Sequence, residues 1–249
     1  MPPASLAQHA NAVVALLDDS YWLVRRCALD TLSNLEPETL AQRADAVISR
    51  LEDSCPFVRH SALVTLGKLG PETLAKYARA IVARLEDSDN RSQALDTLAR
   101  LEPATLAQYA GAVVARLEDT GEVVRRTAFA TLARLDPVTL AQYAGNVVAG
   151  LEDSKDWVRS EAIKTLYKME PATLALHADV VAARLKDSSF DVRYQALKTL
   201  ARLEPTTLAL HVDTVVTVLE DKDSYVREAA LETLGKLALR TLAPHFNAI

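Results

Sequence analysis

An all-α solenoid of stacked helical hairpins is the fold class this chain predicts, and three observations carry it. A leucine before an acidic turn recurs at Leu17, Leu51, Leu85, Leu117, Leu151, Leu185 and Leu219, at spacings of 34, 34, 32, 34, 34 and 34. Prolines keep the same register at Pro3, Pro37, Pro71, Pro103, Pro137, Pro171 and Pro205. Between these markers the apolar residues follow helical rather than alternating spacing. A period of this length marks a unit too small to bury its own apolar stripe, which only stacked neighbours can cover.

Residues 102–135 show what one unit contains. Leu106, Ala107, Ala110, Val113, Val114 and Leu117 form the stripe of a first α-helix about four turns long. Pro103 suits its opening turn, and "TLAQ" (Thr105 to Gln108) has capping-box spacing, so either marks its start. The polar turn Asp119-Thr120-Gly121 ends it. A second stripe, Val123/Val124, Ala128, Phe129, Leu132 and Leu135, predicts a second helix. It stops at Asp136-Pro137 because the residue before proline disfavours helical backbone. The repeats are read as 1–35, 36–69, 70–101, 102–135, 136–169, 170–203 and 204–237. Residues 238–249 are read as a partial eighth repeat or cap, and 1–249 as one domain, because no linker or composition break interrupts the array.

Bulk composition excludes several classes. With 49% hydrophobic and 24% charged residues over 249 positions, the chain is that of a soluble folded protein. It has no apolar run of about 18 residues and no signal-like start, so no membrane insertion and a cytoplasmic or otherwise intracellular location are expected. Cys27 and Cys55 lack metal-finger spacing and are read as free thiols. The net charge of −5 argues against coating by nucleic acid and leaves room for a local basic face.

The turn acids Asp19, Asp53, Asp119, Asp153, Asp187 and Asp221 are each followed by a Val-Arg pair: Val24-Arg25, Val58-Arg59, Val124-Arg125, Val158-Arg159, Val192-Arg193 and Val226-Arg227. This pattern resembles the HEAT-repeat family, in particular the short HEAT-like repeats of the phycobilisome-lyase type. The repeat of residues 70–101 departs from it: "LEDSDNRSQAL" is two residues short, keeps Asp87 and Arg91, and loses the valine. Tetratricopeptide repeats share the period, but their aromatic and glycine positions are missing. The resemblance implies a right-handed superhelix with first helices on the convex side and second helices on the concave side. It implies interaction scaffolding more than any one chemistry, since the family includes transport receptors, assembly scaffolds, lyases and some DNA glycosylases.

Four sets of residues are candidates for function. The turn acids with Asp87, and the arginines Arg25, Arg59, Arg91, Arg125, Arg159, Arg193 and Arg227, are expected to form a structural ladder of paired charge, each arginine with the acid of its own turn. Lys68, Arg100, Arg134, Lys168, Arg202 and Lys236, with Asn34 in the same register, stand near second-helix C-termini, where cations meet the negative end of the macrodipole. With Arg26, Arg126 and the neighbouring second-helix positions they give the inner face a charge of about +5 against −5 for the chain. Tyr21, Trp22, Phe57, Trp157, Phe190 and Tyr225 gather where second helices begin, and Tyr194 lies on the same helices; such an edge either staples adjacent repeats or anchors a partner.

His177, His211 and His245 share a column with Tyr77, Tyr109 and Tyr143. Helices 8–10 Å apart do not let neighbouring histidines share a metal without long reach. There is no Gly-rich phosphate loop and no Gly-x-Ser-x-Gly elbow, and no metal or cofactor is called for. The reading is a non-enzymatic protein-protein interaction scaffold with a protein partner on the concave face or loop edge. An anion-binding module gripping nucleic acid or an acidic tail through the basic column is the alternative. A HEAT-fold enzyme such as a lyase or DNA glycosylase, with Asp30 or Asp96 beside Trp22, is the second. Leu16, where Arg50, Arg84, Arg116 and Arg184 stand in other repeats, and the unfinished "TLAPHFNAI" add an expectation of end-to-end self-association.

Overall fold

A computed structural model describes residues 3–238, with side chains from residue 8 onward. The segment "TLAPHFNAI", His245 included, lies outside the described residues, as does the side chain of Pro3. Every regular element among the described residues is helical, and the chain divides into two compact units, Met1–Arg116 and Leu117–Ile249. The division falls within residues 102–135, after that repeat's first helical segments.

In the first unit the helix Trp22–Leu32 packs on Pro56–Leu66, which packs on Arg91–Leu98. In the second, Glu122–Leu132, Asp156–Leu166, Phe190–Leu200 and Ser224–Leu234 stack in that order. Helices thus associate in sequence-adjacent layers, the helical solenoid that the period predicts. The core repeats with the sequence: an alanine, a large apolar residue and a leucine are buried in each second helix from Trp22–Leu32 to Phe190–Leu200, as in Ala62, Leu63 and Leu66, or Ala162, Ile163 and Leu166, whereas in Ser224–Leu234 the middle position, Leu231, is exposed. Alanine lets adjacent helices approach, and each fully buried leucine contributes about 1.5–3 kcal/mol of apolar burial. The recurring leucine before the turn is buried at Leu17, Leu51, Leu85, Leu117, Leu151 and Leu185.

Two local expectations need correction, and one that was left open is settled. First helices are not all continuous. Pro71–Ala83 runs unbroken, but its counterpart in residues 102–135 is split into Pro103–Ala107 and Ala110–Val114. At the break Gln108 N–H and Tyr109 N–H donate to Thr105 and Leu106 carbonyls three residues back, a tightened turn that re-aims the second segment so that Leu106, Ala110 and Val113 all reach the core. The same break occurs at Arg43, Tyr143, His177 and His211. Helix starts follow proline at the first helical position rather than a capping box at the threonine. Val123, assigned to the apolar stripe, is 51% exposed.

Candidate functional site: three columns of charge

The ladder arginines are positioned by the first turn of each second helix, where a side chain aimed back along the helix lies over the inter-helix turn. Their carboxylate partners are not in that turn. Arg159 donates from Nε to Asp187 Oδ2 (2.8 Å) and from Nη2 to Asp187 Oδ1 (2.6 Å), reaching the turn 28 residues on. Its Nη1 donates to the backbone carbonyl of Asp153, the acid expected as its partner (2.8 Å). The same fork joins Arg25 to Asp53, Arg59 to Asp87, Arg125 to Asp153 and Arg193 to Asp221. Each guanidinium therefore closes its own turn through a carbonyl and clamps the following turn through a carboxylate. Planar donors make both possible at once, which a lysine cannot do.

Each of these carboxylates also takes an N–H from two residues later, as Asp187 Oδ1 does from Ser189 (2.9 Å). Burial pushes the Asp187 carboxyl up, but the Arg159 fork and the Ser189 N–H outweigh it and hold the carboxyl below its ordinary value. Asp53, Asp87 and Asp153 are lowered by the same balance, and Asp221 is lowered first by its bonds to Arg193. Arg227 donates to the Asp221 carbonyl, Asp19 accepts the Tyr21 N–H, and Arg91 and Asp119 are engaged as well.

Two further columns have roles that were not read from the sequence. Arg50, Arg84, Arg116 and Arg184 donate to the carbonyls of Leu17, Leu51, Leu85 and Leu151 one repeat back, and pair with the exposed Asp18, Glu52, Glu86 and Glu152. The second column is threonine: Thr65, Thr97, Thr165 and Thr233 each donate to a carbonyl of their own helix, and lie 3.0–3.4 Å from a carbonyl of the preceding second helix (Leu29, Leu63, Phe129 and Leu197). The signal was present, since Thr-Leu recurs in every second helix, Thr31-Leu32 through Thr233-Leu234. Thr165→Val keeps the shape and deletes the hydroxyl; urea melts should show a loss of about 1 kcal/mol.

The helix-end cations divide. Arg202 Nη1 donates to the Met169 carbonyl (3.0 Å) and its guanidinium lies over Tyr167 (4.8 Å), while Lys236 Nζ donates to the Ala201 carbonyl (2.6 Å). Arg100 lies along Gly67, where a Cβ would stand 3.3 Å from its Cδ and Nε. Asn34 bonds the Asp30 carbonyl. Lys68, Arg134 and Lys168 are exposed. Arg26 sits 3.8 Å from Asp30 and over Trp22, and Arg126 is exposed. Of the aromatics, Trp22 and Phe57 meet across adjacent repeats (5.5 Å), whereas Trp157, Phe190 and Tyr225 are exposed and pair with no other ring among the described residues. Tyr194 lies under Lys198, and Trp157 under Lys155.

His211 is buried with Nδ1 3.9 Å from Asp179, and Tyr77 bonds Asp45 (2.8 Å), so these two members of the column reach back to an acid of the preceding first helix. No cluster of three metal-ligating side chains occurs among the described residues. Cys27 and Cys55 are free. No described helix is long and apolar enough to cross a membrane.

The model of the adaptin N-terminal region matches residues 10–244. The chain belongs to that family. Adaptin N-terminal regions are ARM/HEAT-type helical repeats, a fold that commonly serves as a protein-interaction scaffold. No curated protein matches the chain. Among solved structures, the crystal structure of an engineered protein is similar at 16% identity and a TM-score of 0.48, over 91% of this chain and 95% of that one.

Proposed function

We propose that this adaptin-type chain is a non-enzymatic protein-protein interaction scaffold, a single intracellular array of seven short HEAT-like repeats of about 34 residues. In this reading its second-helix C-termini hold an extended acidic segment of a protein partner. The observation that carries it is a sorting of charge. Ladder arginines and their aspartates are consumed clamping turn to turn, whereas Arg134 and Lys168, on adjacent second helices, keep their charges exposed. Successive helices about 8–10 Å apart space such cations to track a chain rather than to close around a compact ligand.

The test compares a blocked decaglutamate peptide with a DNA duplex, each titrated against wild type and Arg134→Gln/Lys168→Gln over a range of salt. The acidic peptide should bind, and the double variant should weaken it about three- to ten-fold, two exposed charge contacts' worth, with unchanged melting. Preferential duplex binding, with a log–log salt slope flattened by about 2 in the variant, would favour a nucleic-acid partner instead. Equal peptide binding by both proteins would return Arg134 and Lys168 to helix-end charges.

A further inference from the structure

The shortened turn after Asp87 leaves a pocket of about 410 Å³ lined by Pro56, Phe57, His60, Asp89 and Asn90. It lies within the first unit and does not depend on the helix-end cations. Its origin is the two-residue deletion. Asp53 and Arg59 are six residues apart, Asp87 and Arg91 only four, and the helix that follows, Arg91–Leu98, has 8 residues where Pro56–Leu66 has 11. Counting back from the ladder arginine, Asn90 takes the register of Val58, and Asp89 takes that of Phe57, Trp157 and Tyr225. Trp22 flanks the Phe57 ring from the preceding repeat (5.5 Å). On the other side the register offers a carboxylate in place of a ring, and Phe57 remains 60% exposed.

The electrostatics of this rung differ from the others. Arg59 Nε and Nη2 hold Asp87 (2.6 and 3.1 Å), and Nη2 is shared with Asp89 Oδ2 (3.2 Å). Two carboxylates thus divide one guanidinium, and Asp89 stays 59% exposed at the pocket. The pocket floor is fixed: Asn90 is 3% exposed and donates to the Pro56 carbonyl and to Asp87. A ring with an uncovered face beside an under-neutralised carboxylate suits a cation on an apolar stem. The chain builds that arrangement for itself in the second unit, where Lys155 Nζ stands 5.4 Å from the Trp157 centroid and 3.2 Å from Glu122. In residues 36–69 the register of Lys155 is occupied by Cys55, which brings no cation.

We infer that the pocket between Phe57 and Asp89 receives a lysine side chain from an extended segment of a partner protein. The stem packs on Phe57 and Pro56, and the ammonium meets Asp89. The probe is the blocked pentapeptide Gly-Ser-Lys-Ser-Gly, titrated into the full chain by heteronuclear NMR, with norleucine and glutamate versions as controls. The lysine peptide should move the amides of Phe57, His60, Asp89 and Asn90, and the norleucine peptide should bind at least five-fold more weakly. Asp89→Asn should remove that difference while Arg59 keeps Asp87, which an unchanged melting curve verifies. Phe57→Ala should weaken both peptides. Equal binding of lysine and norleucine peptides, shifts centred on other residues, or no shift at millimolar peptide would each overturn the inference.

Discussion

Gly150→Ala should be among the most damaging additions of a single methyl group, and Phe129→Leu should rescue it. A Cβ at 150 would overlap Cζ of the fully buried Phe129 ring and stand 2.8 and 2.9 Å from its two Cε atoms. Elsewhere the Phe129 register holds Leu29, Leu63, Leu95, Ile163 and Leu197, and the Gly150 register holds Arg50, Arg84, Arg116 and Arg184. The pair is therefore a large-for-small exchange. Gly150→Ala overpacks a closed core and should cost about 1–3 kcal/mol. Phe129→Ala opens a cavity and should cost about 3–5 kcal/mol. Phe129→Leu removes the overlapping atoms, so the Phe129→Leu/Gly150→Ala protein should melt above the sum of its single variants. Strict additivity in urea titrations would show that the ring yields without resistance.

Arg159→Ala should cost about 2–3 kcal/mol. Deleting the guanidinium leaves the Asp187 carboxylate, 5% exposed, and the Asp153 carbonyl without their main donor. The pair keeps some solvent contact, which holds the figure below that of a fully buried pair. The same rungs set the acid limit of the fold. Because Asp53, Asp87, Asp153, Asp187 and Asp221 titrate below 3.8 when folded, their stabilisation is complete above the unfolded carboxyl range and disappears as pH falls through the lowered values. Melting temperature should hold steady from pH 7 to about 5 and drop steeply below about 4, and Asp187→Asn should make that drop shallower. A melting temperature flat to pH 2.5 would separate the rungs from stability.

The hairpin stacking was legible because burial repeats with the period: Leu51, Leu85 and Leu151 are core for the reason their spacing gave. The break within the first helices was not, because Tyr109 and His177 carry no helix-breaking chemistry, and the tightened turn serves packing with neighbouring layers. The identity of the ladder residues was legible while the pairing was not. Asp153 and Asp187 are equivalent in sequence, and only the stacking offset decides which of them Arg159 reaches. Arg50 and its counterparts were visible as a column but gave no hint that they cap carbonyls one repeat back. The two-residue deletion was legible while the pocket at Phe57 was not, because its lining depends on Asn90 turning inward to the Pro56 carbonyl.

The clamp from each turn to the next is the feature that ties successive repeats together, and a double-mutant cycle reads it directly. Arg159→Met and Asp187→Asn, alone and together, should show a coupling of about 1.5–3 kcal/mol in urea unfolding, the scale of a charge-assisted hydrogen-bonded pair. The control cycle of Arg159→Met with Asp153→Asn should show much less, since Arg159 meets Asp153 through its carbonyl, which the substitution keeps. Coupling confined to Asp187 is the predicted result. Coupling near zero there, or larger with Asp153, would contradict it.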